Sequence, residues 1–211
     1  MLIFFKFAFF LGGLTSLFLG VLIYWQNRRG IVNKTYTGLS LCCAIWSFGF
    51  LGMITADTRE LSGFWRWFME SGSILIPALW FHFVSSFLSL NEIKRKSIIT
   101  TYVGGFILWF LNFTDIFQFG LFTKEMVRKS IFDFYPTAGL GYYLYFIFFF
   151  LVASYSIFLL LSRYKKETGL KRHQIVSLIV GAIFGFGGGG MTFLLTLDFE
   201  IIPYGVIFFA F

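Results

Sequence analysis

Long apolar segments dominate this sequence, and they recur too often for a soluble domain of this size to bury them. Each is about 20 residues long, the length that an α-helix needs to cross the ~30 Å hydrocarbon core of a bilayer. Six segments are complete, at residues 3–25, 37–56, 71–90, 98–117, 140–162 and 175–197. The sequence therefore predicts six transmembrane helices, of which the third starts ahead of its membrane portion, near Ser62.

A seventh apolar segment begins after Pro203, at Gly205, and the sequence ends at Phe211. So short a helix rises only about 10 Å and cannot cross the bilayer. We therefore expect the natural chain to continue beyond residue 211. The predicted fold class is all-α: a polytopic membrane helix bundle with six complete transmembrane helices and the start of a seventh, in one domain over residues 1–211.

The composition agrees with a membrane location. Charged residues make up 13% of the 211 residues, against about 25% in a typical soluble domain. A net charge of +7 would suggest nucleic acid as a partner for a soluble protein. Here the charges lie in short loops between apolar segments, so the lipid bilayer is the predicted partner and nucleic acid is not.

Basic residues are divided unevenly between the two sets of loops. Eleven lie in the first, third and fifth loops beside two acidic residues, Glu92 and Glu167, whereas the opposite side carries six basic and eight acidic residues. Lys and Arg concentrate on the cytoplasmic side of membrane proteins. We therefore expect a multi-pass protein of the cell (inner) membrane with its N-terminus outside, whose completed seventh helix would end in the cytoplasm.

Polar side chains at the outer ends of the predicted helices are candidate ligand-binding residues. Glu70 lies at the outer end of the third span, and Asn112 and Asp115 lie at the outer end of the fourth. Together with Asp198 and Glu200 they would ring the outer mouth of the bundle. Two interpretations remain open: a solvated acidic rim that enforces topology, or an outward-facing polar cavity that binds an unknown small ligand or cation.

The third span contains two further ionisable side chains. Arg66 precedes Glu70 by four residues, a spacing that allows the two to pair on one helix face. His82 lies near the middle of the span. An ionisable group inside a membrane is a functional candidate, so we include His82 among the candidate ligand-binding residues. The competing interpretation is a neutral histidine hydrogen-bonded to another helix. One histidine without a second ligand does not make a metal site.

Glycine and proline mark places where helices pack closely or bend. Gly181 and Gly185 stand four residues apart in the sixth span, and a run of four glycines follows that includes Gly188 and Gly189. This spacing favours a flat packing face, with a hinge as the alternative. Pro77 predicts a kink within the third span.

No catalytic constellation is visible in the sequence. His82 and His173 have no nucleophile motif beside them, and the adjacent Cys42 and Cys43 lack metal-ligand spacing. We expect no cofactor, no metal and no enzymatic activity in this chain. A small-solute transporter or channel subunit stays open as an alternative, although it would need paired intramembrane charges or broken helices. An enzyme acting on lipid would need clustered His, Asp or Glu at one depth on the cytoplasmic side, whereas the acids here are mostly on the other side.

Several motifs follow one another in an order that resembles a known family. They are Asn27-Arg28-Arg29, Trp46-Ser47-Phe48-Gly49, Phe64-Trp65, the basic loop ending in Arg172-His173-Gln174, the glycine-rich segment 181–190 and Ile202-Pro203-Tyr204-Gly205. In this order the chain resembles the N-terminal seven-transmembrane sensor region found ahead of bacterial histidine kinase domains, and sometimes ahead of diguanylate cyclases. The glycine run is longer than the family pattern leads us to expect.

The resemblance implies a function. It implies a sensory input module in signal transduction of the two-component type, passing a stimulus through the last helix to a cytoplasmic output domain in the same full-length chain. It also allows a homodimer. The family's ligand-binding residues are not carried over, so Glu70 and His82 rest on their positions alone.

Overall fold

The computed structural model describes residues 2–117 and 119–205, and in these ranges the chain forms a helix bundle. The helices are α1 (Leu2–Gln26), α2 (Ile31–Thr55), α3 (Arg59–Ser73), α4 (Ile76–Phe87), α5 (Asn91–Thr114), α6 (Leu140–Tyr164) and α7 (Gly169–Thr196). A 3-10 turn, Asp115–Phe117, extends α5. The all-α class is confirmed, with one addition between α5 and α6: the strands β1 (Thr123–Lys129) and β2 (Phe132–Ala138).

Five helices in the described ranges are long and apolar enough to cross a membrane. They are α1, α2, α5 with its 3-10 extension, α6 and α7. Their outer surfaces carry large apolar side chains that water would not tolerate; Phe18, Ile107 and Leu151 are each exposed over more than half of their surface. The chain is therefore a multi-pass membrane protein. Residues 206–211, on which most of the predicted seventh helix falls, lie outside the described ranges.

The third predicted span is not one kinked helix, and this corrects the sequence analysis. It consists of α3 and α4, which are separated at Ile74 and Leu75. Pro77 stands in the first turn of α4, where its missing N–H costs nothing. A continuous helix would have needed that N–H for the carbonyl of Ser73, so the proline ends one helix and begins the next. Each piece is too short to cross a bilayer alone.

Glycine brings α2 and α3 into close contact. A Cβ atom built on Gly49 of α2 would lie 2.6 Å from the Cα of Met69 in α3, so only glycine fits there. Met69 and its neighbour Glu70 are thereby held against the middle of the bundle, and both are buried. The short third segment is fixed by this contact rather than by its own length.

The two strands form an antiparallel hairpin at one end of the bundle, which we call the hairpin end. Lys129 ties the hairpin to the C-terminus of α7: its ammonium group donates to the carbonyls of Leu195 (3.1 Å) and Thr196 (3.2 Å) and pairs with Asp198 at 2.6 Å. The last carbonyls of a helix have no partner within it and carry partial negative charge. Lys129 therefore satisfies the end of α7 from outside the helix.

The opposite end, which we call the basic end, contains the turns at 27–30, 88–91 and 165–168. Asn27 closes the first of these turns, since its side-chain oxygen accepts from the backbone N–H groups of Arg29 and Gly30. The Lys and Arg residues of the first, third and fifth loops gather at this end. Two apolar cores fill the bundle, one around Phe50 and Phe132 near the hairpin and one around Phe81 and Leu160 toward the basic end.

We predict that Lys129→Met loosens the hairpin from α7. The substitution keeps most of the apolar side chain but removes the ammonium group from the Leu195 and Thr196 carbonyls. Hydrogen bonds to charged groups contribute about 1.5–3 kcal/mol each, so amide hydrogen exchange over residues 192–198 should accelerate at least about tenfold. Lys124→Met, on the same strand at an exposed position, is the control and should leave these amides unchanged. Equal exchange in both variants would contradict the role of Lys129.

Candidate ligand cavity and buried polar cluster

A cavity of about 210 Å³ lies inside the bundle, along one face of α7. That face runs from Ser177 to Thr196 and is opposed by residues of α2, α3, α4, α6 and β2. Gly181 lines the cavity and is exposed. Small residues make the space, because Gly181, Gly185 and Gly189 all lie on this face and none carries a side chain. The cavity therefore exists because α7 is glycine-rich.

The half of the cavity nearer the hairpin is polar. Its polar lining residues are Glu70, Ser73, Tyr135, Tyr142, Tyr145, Thr192 and Thr196. The Tyr135 hydroxyl donates to the Thr192 carbonyl (3.2 Å), and the Tyr142 hydroxyl donates to the Thr196 hydroxyl (3.1 Å). Burial raises the pKa of the Tyr135 phenol above its ordinary value, so this hydroxyl stays a neutral donor. These bonds fix the tyrosines as a rigid wall against α7.

Among the described residues that line the cavity, Glu70 is the one acid. It is only 3% exposed, and its Oε2 atom accepts a short hydrogen bond of 2.5 Å from the Ser73 hydroxyl, three residues on in the same helix. Within the described part of the chain, Glu70 forms no ion pair with a lysine or arginine. A buried carboxylate without a cationic partner is costly. Such a group is a strong candidate for ligand contact.

The half of the cavity nearer the basic end is apolar. Trp80 and Phe186 lie there in an edge-to-face contact, with ring centroids 5.4 Å apart, and Leu39 and Leu178 complete the wall. Between the two halves stand Phe149 and Phe193, whose rings are 5.0 Å apart. The cavity is thus amphipathic along its length, with one polar end and one apolar end.

Arg66, Asn112 and Asp115 form a separate buried cluster behind the cavity wall. The Arg66 guanidinium donates to the Asn112 side-chain oxygen (2.6 Å) and pairs with Asp115 (3.4 Å). Asp115 also accepts from the backbone N–H groups of Phe122 (3.1 Å) and Thr123 (2.7 Å), where the chain enters the hairpin. The cluster joins α3, α5 and the hairpin, and its two charges compensate each other.

These contacts bear on two possibilities that the sequence left open. Arg66 does not pair with Glu70 as their spacing suggested; it turns to Asp115 on another helix, and no ion pair links it to Glu70 in the described ranges. Glu70, Asn112 and Asp115 do not form a solvated rim either, because each side chain is buried. Of the predicted ring, Asp198 and Glu200 are exposed. Tertiary packing drew three of the five polar groups inward.

His82 lies outside the cavity. Its Nδ1 atom is 3.1 Å from the Tyr102 hydroxyl of α5, which is the interhelical hydrogen bond of the competing interpretation. A ligand role for His82 would therefore have to involve a different surface from that of Glu70. Asn112 and Asp115 also do not line the cavity, so of the four candidate ligand residues only Glu70 does.

The glycine run of α7 does not interrupt the helix, which continues to Thr196. Gly188 faces the backbone of Gly205, and a Cβ atom on Gly188 would clash with the Gly205 carbonyl. Gly187, one residue away, has nothing within 4 Å of such an atom. The glycines thus differ in surroundings: Gly188 contacts Gly205 in the segment that follows α7, whereas Gly181 lines the cavity.

Several lining residues were not predicted as site residues. Ser73, Tyr135, Tyr142 and Tyr145 carry the polar wall, yet the sequence indicated only that tyrosines cluster at 142–145. That cluster is also typical of a membrane interface, which conceals its role. Tyr135 reaches the cavity through the hairpin. Among the described residues, no group of three or more His, Cys, Asp or Glu is placed to hold a metal ion.

Comparison with known proteins identifies the family of this chain. A protein-family model described as the N-terminal 7TM region of histidine kinase matches residues 8–211. The chain belongs to this family. No curated protein and no solved structure matches it. Because the chain belongs to the family of histidine kinase sensor regions, it is a membrane sensory module, and this region is not itself catalytic.

Family membership assigns no role to individual residues, so the cavity and the buried cluster stand on their geometry. The region is named for its position ahead of a kinase, and a cytoplasmic output domain is therefore the partner that the family implies.

We predict that Arg66→Met destabilises the sensory module by about 3–5 kcal/mol, because it leaves the Asp115 carboxylate buried without its cation. The free energy of unfolding, measured by denaturant titration of the protein in detergent micelles, reports this loss. Arg128→Met is the matched control: Arg128 and Asp133 pair at 3.9 Å with exposed side chains, so its removal should cost less than about 1 kcal/mol. Equal losses in the two variants would show that the cluster contributes no special stability.

Proposed function

We propose that this chain detects a small ligand in the α7 cavity and passes the signal to a cytoplasmic output domain. The observation that carries the proposal is that α7 has two contacts. It lines the cavity along its length, and its residue Gly188 lies against Gly205 in the segment that follows α7. A ligand that favours one packing of α7 over another would shift the position of Gly205.

The proposed topology makes α3 and α4 together one membrane span. Stacked end to end around the break at Ile74 and Leu75, they provide the length that neither has alone. Six complete spans and the start of a seventh then follow. The gathering of Lys and Arg at the basic end supports a cytoplasmic location for that end, in the inner membrane, with the N-terminus and the hairpin outside.

The hairpin contributes to the proposed signalling because it contacts the cavity, α7 and α5. Tyr135 of β2 lines the cavity and bonds to α7, and Lys129 of β1 holds the helix terminus. Asp115 anchors the same hairpin to α5. A ligand that moves the polar wall therefore acts on α7 and on the hairpin at once.

The downstream partner in this proposal is a histidine kinase or a diguanylate cyclase domain in the same full-length chain, and a homodimer is the proposed assembly. The sequence following residue 211 in the natural gene tests the first point directly. A transporter or channel subunit, the other function considered, would lack such a domain and would move solute across reconstituted vesicles.

We predict that Gly188→Ala changes the basal activity of the full-length protein in lipid nanodiscs, or abolishes its response to stimulus. The new methyl group meets the Gly205 carbonyl and must displace the chain after α7. Gly187→Ala is a close control, since it adds the same methyl group to the same helix in open space. The measurement is phosphate incorporation, or cyclic dinucleotide synthesis if a cyclase follows.

The two variants separate signalling from helix rigidity. Both lose one glycine of the run, and both gain about 1 kcal/mol of helix propensity. A wild-type response in the Gly188→Ala protein would contradict transmission through this contact. Loss of response in Gly187→Ala alone would favour a hinge in the glycine run instead.

A further inference from the structure

The α7 cavity has the chemistry of an amine site, and we propose that its ligand is a small organic primary amine. The ammonium group would lie against Glu70, and the apolar body would extend along α7 toward Trp80 and Phe186. This inference rests on the proposed function, because it names the ligand class for the same cavity.

Charge balance in the interior supports a cation. The described buried side chains include two strongly buried cations, and both are committed: Arg66 to Asp115 and Lys129 to Asp198. Among the described residues Glu70 forms no contact ion pair, and the nearby Arg66, which acts on it electrostatically, is paired with Asp115 instead. Burial favours the neutral form of a carboxyl group, and a positive partner beside it favours the ionised form; the cavity is the space from which a cation can reach Glu70.

The hydrogen-bonding capacity of Glu70 is also incomplete. A carboxylate has about four acceptor positions on its two oxygens. Ser73 donates to Oε2, and Oε1 accepts no hydrogen bond in the described part of the chain. An ammonium group carries three donors. It could bond to Oε1 while its other N–H groups reach hydroxyl oxygens of the polar wall, such as that of Thr192 or Tyr145.

The aromatic walls favour an organic ammonium ion over a bare metal ion. Tyr142, Tyr145 and Phe193 surround the polar half of the cavity with ring faces and edges, and cations are attracted to aromatic faces. A divalent cation instead needs about six oxygen ligands, including several carboxylates or carbonyls. Glu70 is the single carboxylate in this wall, so the donor set is too poor for a divalent metal.

The apolar half defines the remainder of the ligand. Trp80, Phe186 and Leu178 offer no charged group, so an uncharged and largely apolar body fits there, and the unpartnered Trp80 Nε1–H is the one buried donor that it could meet among the described lining residues. Gly181, an exposed residue of the cavity lining, marks the entry that this proposal assigns to the ligand. A second charge, as in a diamine or an amino acid, would be left without a partner there.

The test compares three ligands of nearly equal shape but different charge: 2-phenylethylamine, 2-phenylethanol and phenylacetate. Equilibrium dialysis measures their binding to the full-length protein in lipid nanodiscs, with empty nanodiscs correcting for partition into lipid. We expect saturable binding of the amine, at least about tenfold tighter than of the alcohol, and no saturable binding of the anion.

Two pairs of variants locate the site. Glu70→Gln should weaken amine binding by about 10- to 100-fold, whereas Glu60→Gln, an exposed acid in the first turn of the same helix, should not change it. Gly181→Leu should also block binding, because Gly181 lines the cavity and the backbone leaves room for the added side chain at the proposed entry. Gly187→Leu adds the same side chain outside the cavity lining and should bind normally. The second pair decides the matter if Glu70→Gln does not fold.

The outcomes separate this inference from the proposed function. Equal binding of amine and alcohol, or unchanged amine binding in both Glu70→Gln and Gly181→Leu, would overturn the ligand class while leaving the sensory role to the Gly188 experiment. Saturable amine binding that requires Glu70 but leaves the activity of the full-length protein unchanged would support the ligand class and contradict the proposed signalling.

Discussion

The ion pair between Arg66 and Asp115 organises the hairpin end of this molecule. A charged pair inside a membrane protein needs hydrogen-bond partners for its polar atoms. Asn112 and the backbone N–H groups of Phe122 and Thr123 supply such bonds, while the buried Arg66 Nε atom has no partner among the described residues. Because these partners come from α3, α5 and the start of the hairpin, the pair determines how those elements meet. It also engages Arg66, which lies close to Glu70, so that Glu70 forms no contact ion pair within the described ranges.

The cavity depends on a second constraint, which is the composition of α7. Close packing normally removes such spaces from a bundle. In α7 the residues at Gly181, Gly185 and Gly189 have no side chains to fill the gap, and the tyrosines opposite are fixed by hydrogen bonds to Thr192 and Thr196. The same helix touches the returning chain at Gly188. Space for a ligand and contact with the exit segment therefore come from one glycine-rich sequence.

Some of this arrangement was predictable and some was not. Five long spans followed directly from segment length and hydropathy, since the thickness of the bilayer leaves little freedom. The break at Ile74 and Leu75 was only partly visible: Pro77 indicated a disturbance, but whether a proline kinks a helix or ends it depends on its neighbours. The spacing of Arg66 and Glu70 allowed a pair on one helix face, but Arg66 is paired with Asp115, because residue spacing describes contacts within one helix and not a partner on another element.

The sequence by itself determined the class of the molecule: its membrane location, its helical spans and its membership of a histidine kinase sensor region. The physical reason is that lipid accepts few backbone structures, so apolar length alone predicts them. Only the tertiary structure decided which polar groups meet. It buried Glu70 beside Ser73 and three tyrosines, placed His82 on Tyr102, and gave Asp115 to Arg66. Such pairings depend on which helices are neighbours, a property that no single segment encodes.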